Sequence, residues 1–373
     1  MSVRPVRAGA RTGGTGPSLT RLGDVRPLPG GDLRDRRYRA PMTWLITGGA
    51  GYIGGHVVAA MRNAGESVVV LDDLSTGDVG RVAGVELVVG SVLDPERVSR
   101  VIDEHGVDGI VHVAAKKQVE ESVRRPLLYY RENVEGLRVL LEAATAAGVR
   151  SFVFSSSAAV YGAPDVDLVD EETPCRPVNP YGETKLVGER MIEAVAAAGG
   201  PRFVNLRYFN VAGCAGPELA DRGRSNLVPM VFEQLASGRP PRIFGDDYPT
   251  PDGTCIRDFI HVGDIASAHV AAARALAEDR VTGLTANIGR GEGVSVREMI
   301  CTIREISGTA QEAWSEPVVE LRRPGDPARV VAASDRIREV LGWRARHGVE
   351  DMVRSAWESW SGESAGARLP TLP

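Results

Sequence analysis

Cysteine, long apolar runs and net charge are all scarce in this sequence of 373 residues. The four cysteines, Cys175, Cys214, Cys255 and Cys301, form no Cys-x-x-Cys pair, and the six histidines show no ligand spacing against them. They predict reduced thiols, a cytoplasmic location and no metal site. No apolar run approaches the roughly 18 residues of a membrane span, and no signal-peptide core precedes the first predicted strand. The lack of such a run predicts no membrane partner, and a net charge of only −5 predicts no nucleic-acid partner.

The first 41 residues differ in composition from the rest. They contain nine Arg against three Asp, a net charge of +6, which leaves −11 for residues 42–373 from the total of −5. Such a basic segment, rich in Pro and Gly, cannot bury enough apolar surface to fold, so we predict a disordered tail. Its prolines interrupt any organelle-targeting helix, and a basic arm on nucleic acid is a further alternative. The simplest interpretation is that translation starts at Met42.

The stretch Thr-Gly-Gly-Ala-Gly-Tyr-Ile-Gly at residues 47–54 predicts a phosphate-binding turn. An apolar run of strand character precedes it, and helix formers follow it without a breaker until Gly65. Side chains at Gly48 or Gly51 would keep a pyrophosphate away from the backbone, and one at Gly54 would push the helix off the strand. The helix N-terminus then offers unpaired N–H groups to the anion.

An acidic residue follows at the spacing of a dinucleotide site. The second apolar run, residues 68–71, ends in Asp72, about twenty residues beyond the glycines. A carboxylate there accepts hydrogen bonds from an adenosine ribose and repels a 2′-phosphate. The sequence therefore favours NAD over NADP.

Strand and helix patterns alternate from Met42 to Leu206, which predicts an α/β fold with a doubly wound, Rossmann-like parallel sheet. The predicted strands are 44–46, 68–71, 87–89, 109–113, 152–154 and 203–206, and the predicted helices are 95–105, 127–147, 181–198, 227–236 and 295–306. We predict an NAD-binding domain over 42–206, a smaller α/β substrate domain over 207–362 with segments returning to the first, and a tail over 363–373.

Polar residues follow the apolar strands, where ligands collect in such sheets. Three serines follow one strand at 155–157, Lys116 and Lys117 follow another, and Arg-Tyr-Phe-Asn follows a third at 207–210. These residues are expected to line the site.

Tyr181 and Lys185 lie at i and i+4 of a predicted helix and therefore on one face. A neighbouring ammonium and a positively charged nicotinamide favour the phenolate, which lowers the pKa of Tyr181 and makes it a base. Lys185 can also bind the nicotinamide ribose. Together with Ser157, these residues form the predicted catalytic set.

Several motifs in order resemble the UDP-glucose 4-epimerase family of extended short-chain dehydrogenase/reductases. They are the glycine turn at 47–54, Phe-Ser-Ser-Ser-Ala-Ala-Val-Tyr-Gly at 154–162, Pro-Tyr-Gly-Glu-Thr-Lys at 180–185, Leu-Arg-Tyr-Phe-Asn at 206–210, Asp-Gly-Thr-Cys-Ile-Arg-Asp-Phe-Ile-His at 252–261 and Arg-Arg-Pro-Gly-Asp at 322–326. The resemblance spans roughly 43–360. It implies reversible 4-epimerisation of UDP-galactose and UDP-glucose through a 4-keto intermediate, with NAD kept bound. It also implies a homodimer that pairs through helices 127–147 and 181–198.

The resemblance assigns roles to residues. Tyr181 is the base, Lys185 its partner and Ser157 a hydrogen-bond donor to the sugar 4-oxygen. The other implied cofactor contacts are Gly48, Gly51, Tyr52, Ile53, Gly54, Asp72, Asp73, Ser91, Val92, Ala114, Lys117, Asn133 and Phe209. The other implied substrate contacts are Asn210, Asn226, Leu227, Arg257, Arg323, Asp326 and Val330.

Some positions depart from the family or leave alternatives open. Ser91 stands where relatives often carry an Asp near the adenine, and Glu120 where they often have a Gly. A 4,6-dehydratase resembles this chain but carries an Asp-Glu pair at the positions of Ala158 and Ala159, so water loss lacks its proton donor here. A 4-epimerase of UDP-N-acetylhexosamine or UDP-glucuronate stays open. A non-catalytic NAD sensor is disfavoured because it would need none of the catalytic set.

Val330 predicts the breadth of the substrate range. In similar epimerases, the residue four positions after the Asp of the Arg-Arg-x-Gly-Asp motif lies beside the sugar 2-position, where Tyr excludes an N-acetyl group. Counting from Asp326 gives Val330, so we predict activity on UDP-N-acetylgalactosamine as well as UDP-galactose. Val330 is also consistent with the start of an apolar strand, and a register error of one residue would place Arg329 there instead.

Overall fold

The computed structural model describes residues 42–223, 226–308, 316–323 and 325–364. The predicted basic tail at 1–41 lies outside the described residues, as does most of the predicted tail at 363–373. All four cysteines lie within them and are free thiols. None of the helices in these stretches is long and apolar enough to cross a membrane.

The strands are β1 (Thr43–Thr47), β2 (Ser67–Asp72), β3 (Glu86–Val89), β4 (Gly109–His112), β5 (Ser151–Ser157), β6 (Arg202–Tyr208), β7 (Asn210–Ala212), β8 (Arg242–Phe244), β9 (Ile256–His261), β10 (Gly283–Ile288), β11 (Gly293–Ser295), β12 (Val318–Glu320) and β13 (Arg329–Val330). The helices are α1 (Tyr52–Asn63), α2 (Pro95–His105), α3 (Val119–Arg124), α4 (Pro126–Tyr129), α5 (Gly136–Ala146), α6 (Pro180–Ala197), α7 (Leu227–Ala236), α8 (Val262–Ala277), α9 (Val296–Ser307), α10 (Asp335–Leu341) and α11 (Val349–Ser364). Short 3-10 turns lie at Val79–Val82, Ala158–Tyr161 and Pro217–Leu219, and a π segment lies at Tyr130–Glu135.

Seven strands form a parallel sheet in the order β10, β6, β5, β4, β1, β2, β3. The predicted α/β fold with a doubly wound parallel sheet is therefore confirmed. The order reverses between β1 and β4, and the carboxyl ends of the two strands open a crevice there, which is where such sheets bind ligands.

Helices cover both faces of this sheet. On one face α1, α8 and α10 bury the apolar side chains of the central strands, among them Trp44 and Ile46. On the other face Leu45 and Phe152 pack against α2, α5 and α6. Because both faces are covered, the strands are apolar throughout, which is the pattern that made them predictable.

A smaller sheet lies beyond β6 in the chain. Strand β9 pairs with β11, β13 and β7, and α7, α9 and α11 contribute to its apolar core. Strands β8 and β12 form a separate parallel pair. The chain beyond residue 206 supplies this sheet and also α8 and β10 of the large one.

Three predicted elements differ from the structure. The predicted helix at 127–147 is divided into α4, the π segment and α5, and the π segment carries the buried Asn133. Strand β5 continues through Ser157, so the three serines belong to the strand and do not follow it. In the same way β6 includes Arg207 and Tyr208. Parallel pairing with β6 extends β5, since Ser157 is in register with Tyr208.

Candidate active site

The glycine turn joins β1 to α1 at the centre of the large sheet. Helix α1 begins at Tyr52, its N-cap Gly51 has no side chain to bond the first turn, and Ile53, Gly54 and Gly55 complete that turn. The amides of Gly48, Ala50 and Gly51 donate within the protein, so the amides at the start of α1 are the ones that can bond an anion. This arrangement fits the pyrophosphate of a dinucleotide.

Glycine is required at two positions of the turn, for a different steric reason at each. Gly48 has φ +71°, and a Cβ there would lie 2.6 Å from the amide nitrogen of Ala114, so glycine allows β1 and the end of β4 to approach. This differs from the predicted reason, which was space for the pyrophosphate. A Cβ on Gly54 would overlap the carbonyl oxygen of Gly48, in line with the predicted close packing of helix and strand.

Asp72 lies at the carboxyl end of β2 and braces the glycine turn. Its Oδ2 accepts from the amide of Ala50 and its Oδ1 from that of Leu74, both at 2.9 Å. Burial raises the pKa of this carboxyl, while the two amide bonds oppose the rise. Each carboxylate oxygen keeps a further lone pair, so the group can still accept from a ribose hydroxyl. Asp73 is exposed beside it and accepts from the amide of Ser75 at 2.9 Å.

Asn133 connects the loop after β4 to α6. Its Oδ1 accepts from the amide of Lys116 at 2.8 Å, and its Nδ2 donates to the Lys116 carbonyl and to the Thr184 hydroxyl at 3.0 Å each. The side-chain amide thus holds the loop, and Ala114 and the exposed Lys117 lie in the same segment.

The other predicted cofactor residues differ in how their side chains are engaged. Tyr52 donates to the Gly213 carbonyl at 2.6 Å, and Ser91 accepts from the amide of Leu93 at 3.1 Å. Three apolar members, Ile53, Val92 and Phe209, are buried. Their aliphatic and aromatic surfaces can form the walls of the site.

The catalytic set converges where β5 ends and α6 begins. Asn179 caps α6 by accepting from the Gly182 amide at 2.9 Å, which places Tyr181 in the first turn. A Cβ on Gly182 would lie 2.5 Å from the carbonyl oxygen of Ala159, so the helix start sits directly against the turn after Ser157. Tyr181 is 8 % exposed.

Ser157 is the partner that lowers the pKa of Tyr181. The pKa of Tyr181 is nevertheless raised, because burial raises it by more than the nearby Ser157 hydroxyl lowers it. Lys185 instead donates to the Ser155 carbonyl at 2.8 Å, with its Nζ 4.8 Å from the centre of the Phe154 ring. Burial lowers the pKa of Lys185 to about 8, and the nearby Glu189 carboxylate opposes that shift. Lys185 is not among the groups that shift the Tyr181 pKa here, and the predicted lowering by Lys185 together with a bound nicotinamide stays a prediction.

The predicted substrate residues gather around β9 and the segment 322–330. Arg257 donates to Asp326 at 2.5 Å, and the Arg323 guanidinium lies 3.8 Å from the centre of the Phe244 ring. Asn226, directly before α7 and its first residue Leu227, donates to Asp221 at 2.5 Å.

Two further substrate residues differ in exposure. Val330 is buried in an apolar cluster with Tyr161, Leu186 and Phe209, and it pairs in register with Arg257. Asn210 is exposed at the start of β7. The structure therefore brings Val330 next to Phe209, a predicted cofactor contact, and to Arg257, a predicted phosphate anchor.

Residues 44–289 match the family described as NAD dependent epimerase/dehydratase family. This chain belongs to that family. Its relatives include UDP-glucose 4-epimerase of Azospirillum brasilense, 47% identical over 330 residues, which cover 86% of this chain and 93% of the relative. Another is UDP-glucose 4-epimerase of Streptomyces lividans, 44% identical, with 87% and 97% covered.

Solved structures of the family agree with this assignment. UDP-glucose 4-epimerase from Stenotrophomonas maltophila, with bound NAD and formylated UDP-arabinopyranose, is 38% identical with a TM-score of 0.81, and the match covers 87% of this chain and 99% of that one. The UDP-Glc/GlcNAc 4-epimerase of Campylobacter jejuni is 36% identical with a TM-score of 0.74, with 86% and 99% covered. The predicted family resemblance and NAD as the cofactor are confirmed.

Behind the catalytic set, this member of the epimerase/dehydratase family has a buried polar group that sequence reasoning missed. Glu189 and Arg207 form an ion pair with 2 % and 8 % of their side chains exposed. A glutamate four residues after Lys185, on the same helix face, was the available signal. A charged residue on a buried helix face requires a partner, which the polar end of β6 supplies.

Proposed function

We propose that this chain is a UDP-glucose 4-epimerase that interconverts UDP-galactose and UDP-glucose with NAD kept bound. The observation that carries the proposal is the meeting of Ser157, Tyr181 and Lys185 at the carboxyl end of β5. The relatives and structures named above support the same activity.

The residues divide the proton chemistry between them. Tyr181 accepts the proton of the sugar 4-hydroxyl. The Ser157 hydroxyl lies near the phenol, and its one O–H turns to donate to the 4-oxygen when the sugar binds. Lys185 has three N–H donors, of which one goes to Ser155, so others remain for the cofactor ribose. NAD, when bound, supplies the hydride exchange at C4 that links the two sugars through a 4-keto intermediate. Because Tyr181 is almost fully buried, bulk water is kept from the reacting atoms.

The pyrophosphate anchors are Arg257 and Arg323, since guanidinium groups match phosphate oxygens in pairs. Asp326 holds Arg257 in place before substrate arrives. The ring of Phe244 supports the Arg323 guanidinium from one face and leaves its edge for hydrogen bonds. Asn226 and Leu227 at the start of α7, together with Asn210, complete the proposed binding surface.

Glu120→Gln is expected to lower the KM for UDP-galactose and leave kcat unchanged. The Glu120 carboxylate lies 4.0 Å from Arg323 and competes with the incoming phosphate for that guanidinium. Both side chains are partly exposed, and such pairs contribute about 0.2–1 kcal/mol, so KM falls by at most about fivefold. Glu121→Gln, one residue along α3, is the matched control. A KM that is unchanged, or raised, in Glu120→Gln would contradict the competition.

The test of the proposed function is incubation of purified wild-type protein with UDP-galactose and no added NAD. We expect UDP-glucose to accumulate until the two sugars reach equilibrium, because the cofactor is regenerated in each cycle. A requirement for added NAD in proportion to product would mean that the protein is a dehydrogenase. No conversion would contradict the proposed function.

We also propose a cytoplasmic homodimer. The four free cysteines support the location. The dimer is supported by apolar side chains around α3 and α4 that face outward: Leu127 is 82% exposed and Val123 62% exposed. Together with α5 and α6 these segments can form a four-helix contact between two copies.

Leu127→Arg is expected to convert the dimer to a monomer, because a charge would be buried in the contact. Light scattering at micromolar concentration gives the mass. Leu321→Arg, at an apolar residue that is 91% exposed and lies beyond β12, is the control and should stay dimeric. A monomeric wild type would disprove the dimer.

A further inference from the structure

A buried ion pair lies under the catalytic set. Arg207 on β6 donates to Glu189 on α6 through two bonds, Nη2 to Oε2 at 2.6 Å and Nε to Oε1 at 2.9 Å. The geometry is bidentate, which fixes the orientation as well as the distance of the two groups.

Further bonds extend this pair across the sheet. The Ser156 hydroxyl donates to Glu189. Arg207 donates to the Tyr161 hydroxyl at 2.9 Å, and that hydroxyl donates to Asn287 on β10 at 2.7 Å. We call these five residues the Arg207 network. Each of the five, taken as a whole residue, is at most 6 % exposed.

The Arg207 network touches each element that carries a catalytic residue. Ser156 immediately precedes Ser157 on β5. Tyr161 ends the 3-10 turn that Ser157 caps. Glu189 lies one helical turn after Lys185 and two after Tyr181 on the same face of α6. A shift of α6 against β5 would therefore have to break the network.

Stability alone does not account for these charges. Replacing a buried ion pair by apolar residues of similar size is often neutral or stabilising, because the charges lose their hydration on burial. Such a pair instead fixes the two elements that it joins in one relative orientation.

We propose that Arg207 and Glu189 are positioning residues that hold Ser157 against Tyr181 and fix α6 relative to β5 for the reaction. This inference rests on the proposed epimerase activity for its rate effects. The geometry itself can be tested without substrate.

The test is the double variant Glu189→Leu/Arg207→Met, which removes both charges together. We expect its melting temperature and bound NAD to stay near those of the wild type, with KM for UDP-galactose within threefold. The kcat should fall by about 10²-fold, since a misplacement of about 1 Å has that effect. Tyr161→Phe, a conservative change that removes one hydroxyl, should lower kcat by about tenfold.

Asp264→Asn is the matched control. This buried carboxylate lies on α8, on the opposite face of the sheet, and it accepts from the amides of Arg346 and His347 at 3.0 and 3.1 Å. The variant should lower the melting temperature and leave kcat within threefold. Loss of stability alone would thus be distinguished from loss of position.

Titration of the Tyr181 phenol, read as the absorbance difference from Tyr181→Phe, supplies a measure independent of turnover. Tyr208 and Tyr129 also lie near this phenol and are kept in the double variant, whereas Lys185 is kept but loses the neighbouring Glu189 carboxylate. We expect the titration to move to higher pH, because Ser157 no longer holds the bond that lowers this pKa.

The outcomes separate the two claims. A double variant or Tyr161→Phe with wild-type kcat and an unmoved phenol titration would overturn the positioning role. If the double variant does not fold, Tyr161→Phe decides the matter by the same two measurements. A wild type that does not convert UDP-galactose would overturn the proposed function. The phenol titration would still test whether the Arg207 network positions Ser157 against Tyr181.

Discussion

Tyr181→Phe is expected to lower epimerisation by at least about 10²–10⁴-fold while the fold and bound NAD are kept, because only the phenol oxygen is lost. The ring itself stays buried in the first turn of α6, where it is 8 % exposed, so its packing is unchanged. Ser157 and Lys185 remain in the variant, but no base is left to accept the proton of the 4-hydroxyl. The measurement is the turnover of UDP-galactose, alongside the melting temperature and the NAD content of the purified variant.

Tyr129→Phe is the matched control for this change. The Tyr129 hydroxyl donates to the Gln118 carbonyl at 2.6 Å. Tyr129 also lies close to Tyr181, whose charge is among the causes that raise the Tyr129 pKa after burial. This variant also loses one buried phenol oxygen, but the proposed mechanism does not use it, so activity should stay within a few fold. A Tyr181→Phe variant that retained more than about a tenth of wild-type turnover would remove Tyr181 from the mechanism.

Val330→Tyr is expected to lower activity on UDP-N-acetylgalactosamine by about 10²-fold or more and to change activity on UDP-galactose little. Val330 is 8 % exposed and lies in the apolar cluster with Phe209 and Tyr161, and we propose that its side chain forms a wall of the sugar pocket. A phenol ring at this position would occupy the space of the N-acetyl group. The measurement is the rate on each sugar, for wild type and variant.

Arg329 provides both the rival assignment and the control. Its Nε donates to the Asp167 carbonyl at 3.1 Å, while Val330 packs into the apolar cluster, so the two side chains serve different surroundings. Arg329→Ala should therefore leave the ratio of the two rates unchanged. A wild type that ignores the N-acetylated sugar, or a ratio unaltered by Val330→Tyr, would show that Val330 is not the gate.

Local patterns made much of the fold predictable. Helix α2 matches its predicted range of 95–105 because Asp94 caps it, Pro95 begins it and Gly106 ends it in a left-handed conformation. Helix α7 also matches. The pairing of β10 with β6 was not predictable, since its partner lies some 80 residues earlier and the local pattern carries no register.

The i and i+4 spacing of Tyr181 and Lys185 made the catalytic set predictable. The partners of the other charged residues could not be predicted from such local spacing. Arg257 and Asp326 are 69 residues apart in the chain, and both were assigned to the substrate before the structure showed that they pair. The direction of the Lys185 amine, toward Ser155, depends on the extension of β5, which in turn depends on its pairing with β6. Such contacts arise from tertiary packing, which no single segment encodes.

The most direct test of the proposed reaction is the fate of deuterium placed at C4 of the galactose unit of UDP-galactose. The labelled sugar is incubated with wild-type protein and no added NAD, and the UDP-glucose formed is isolated and analysed by mass spectrometry and NMR. Because Tyr181 is buried and the site exchanges the C4 hydrogen within itself, we expect the product to keep deuterium at C4. UDP-glucose that carried solvent hydrogen at C4 would contradict this account.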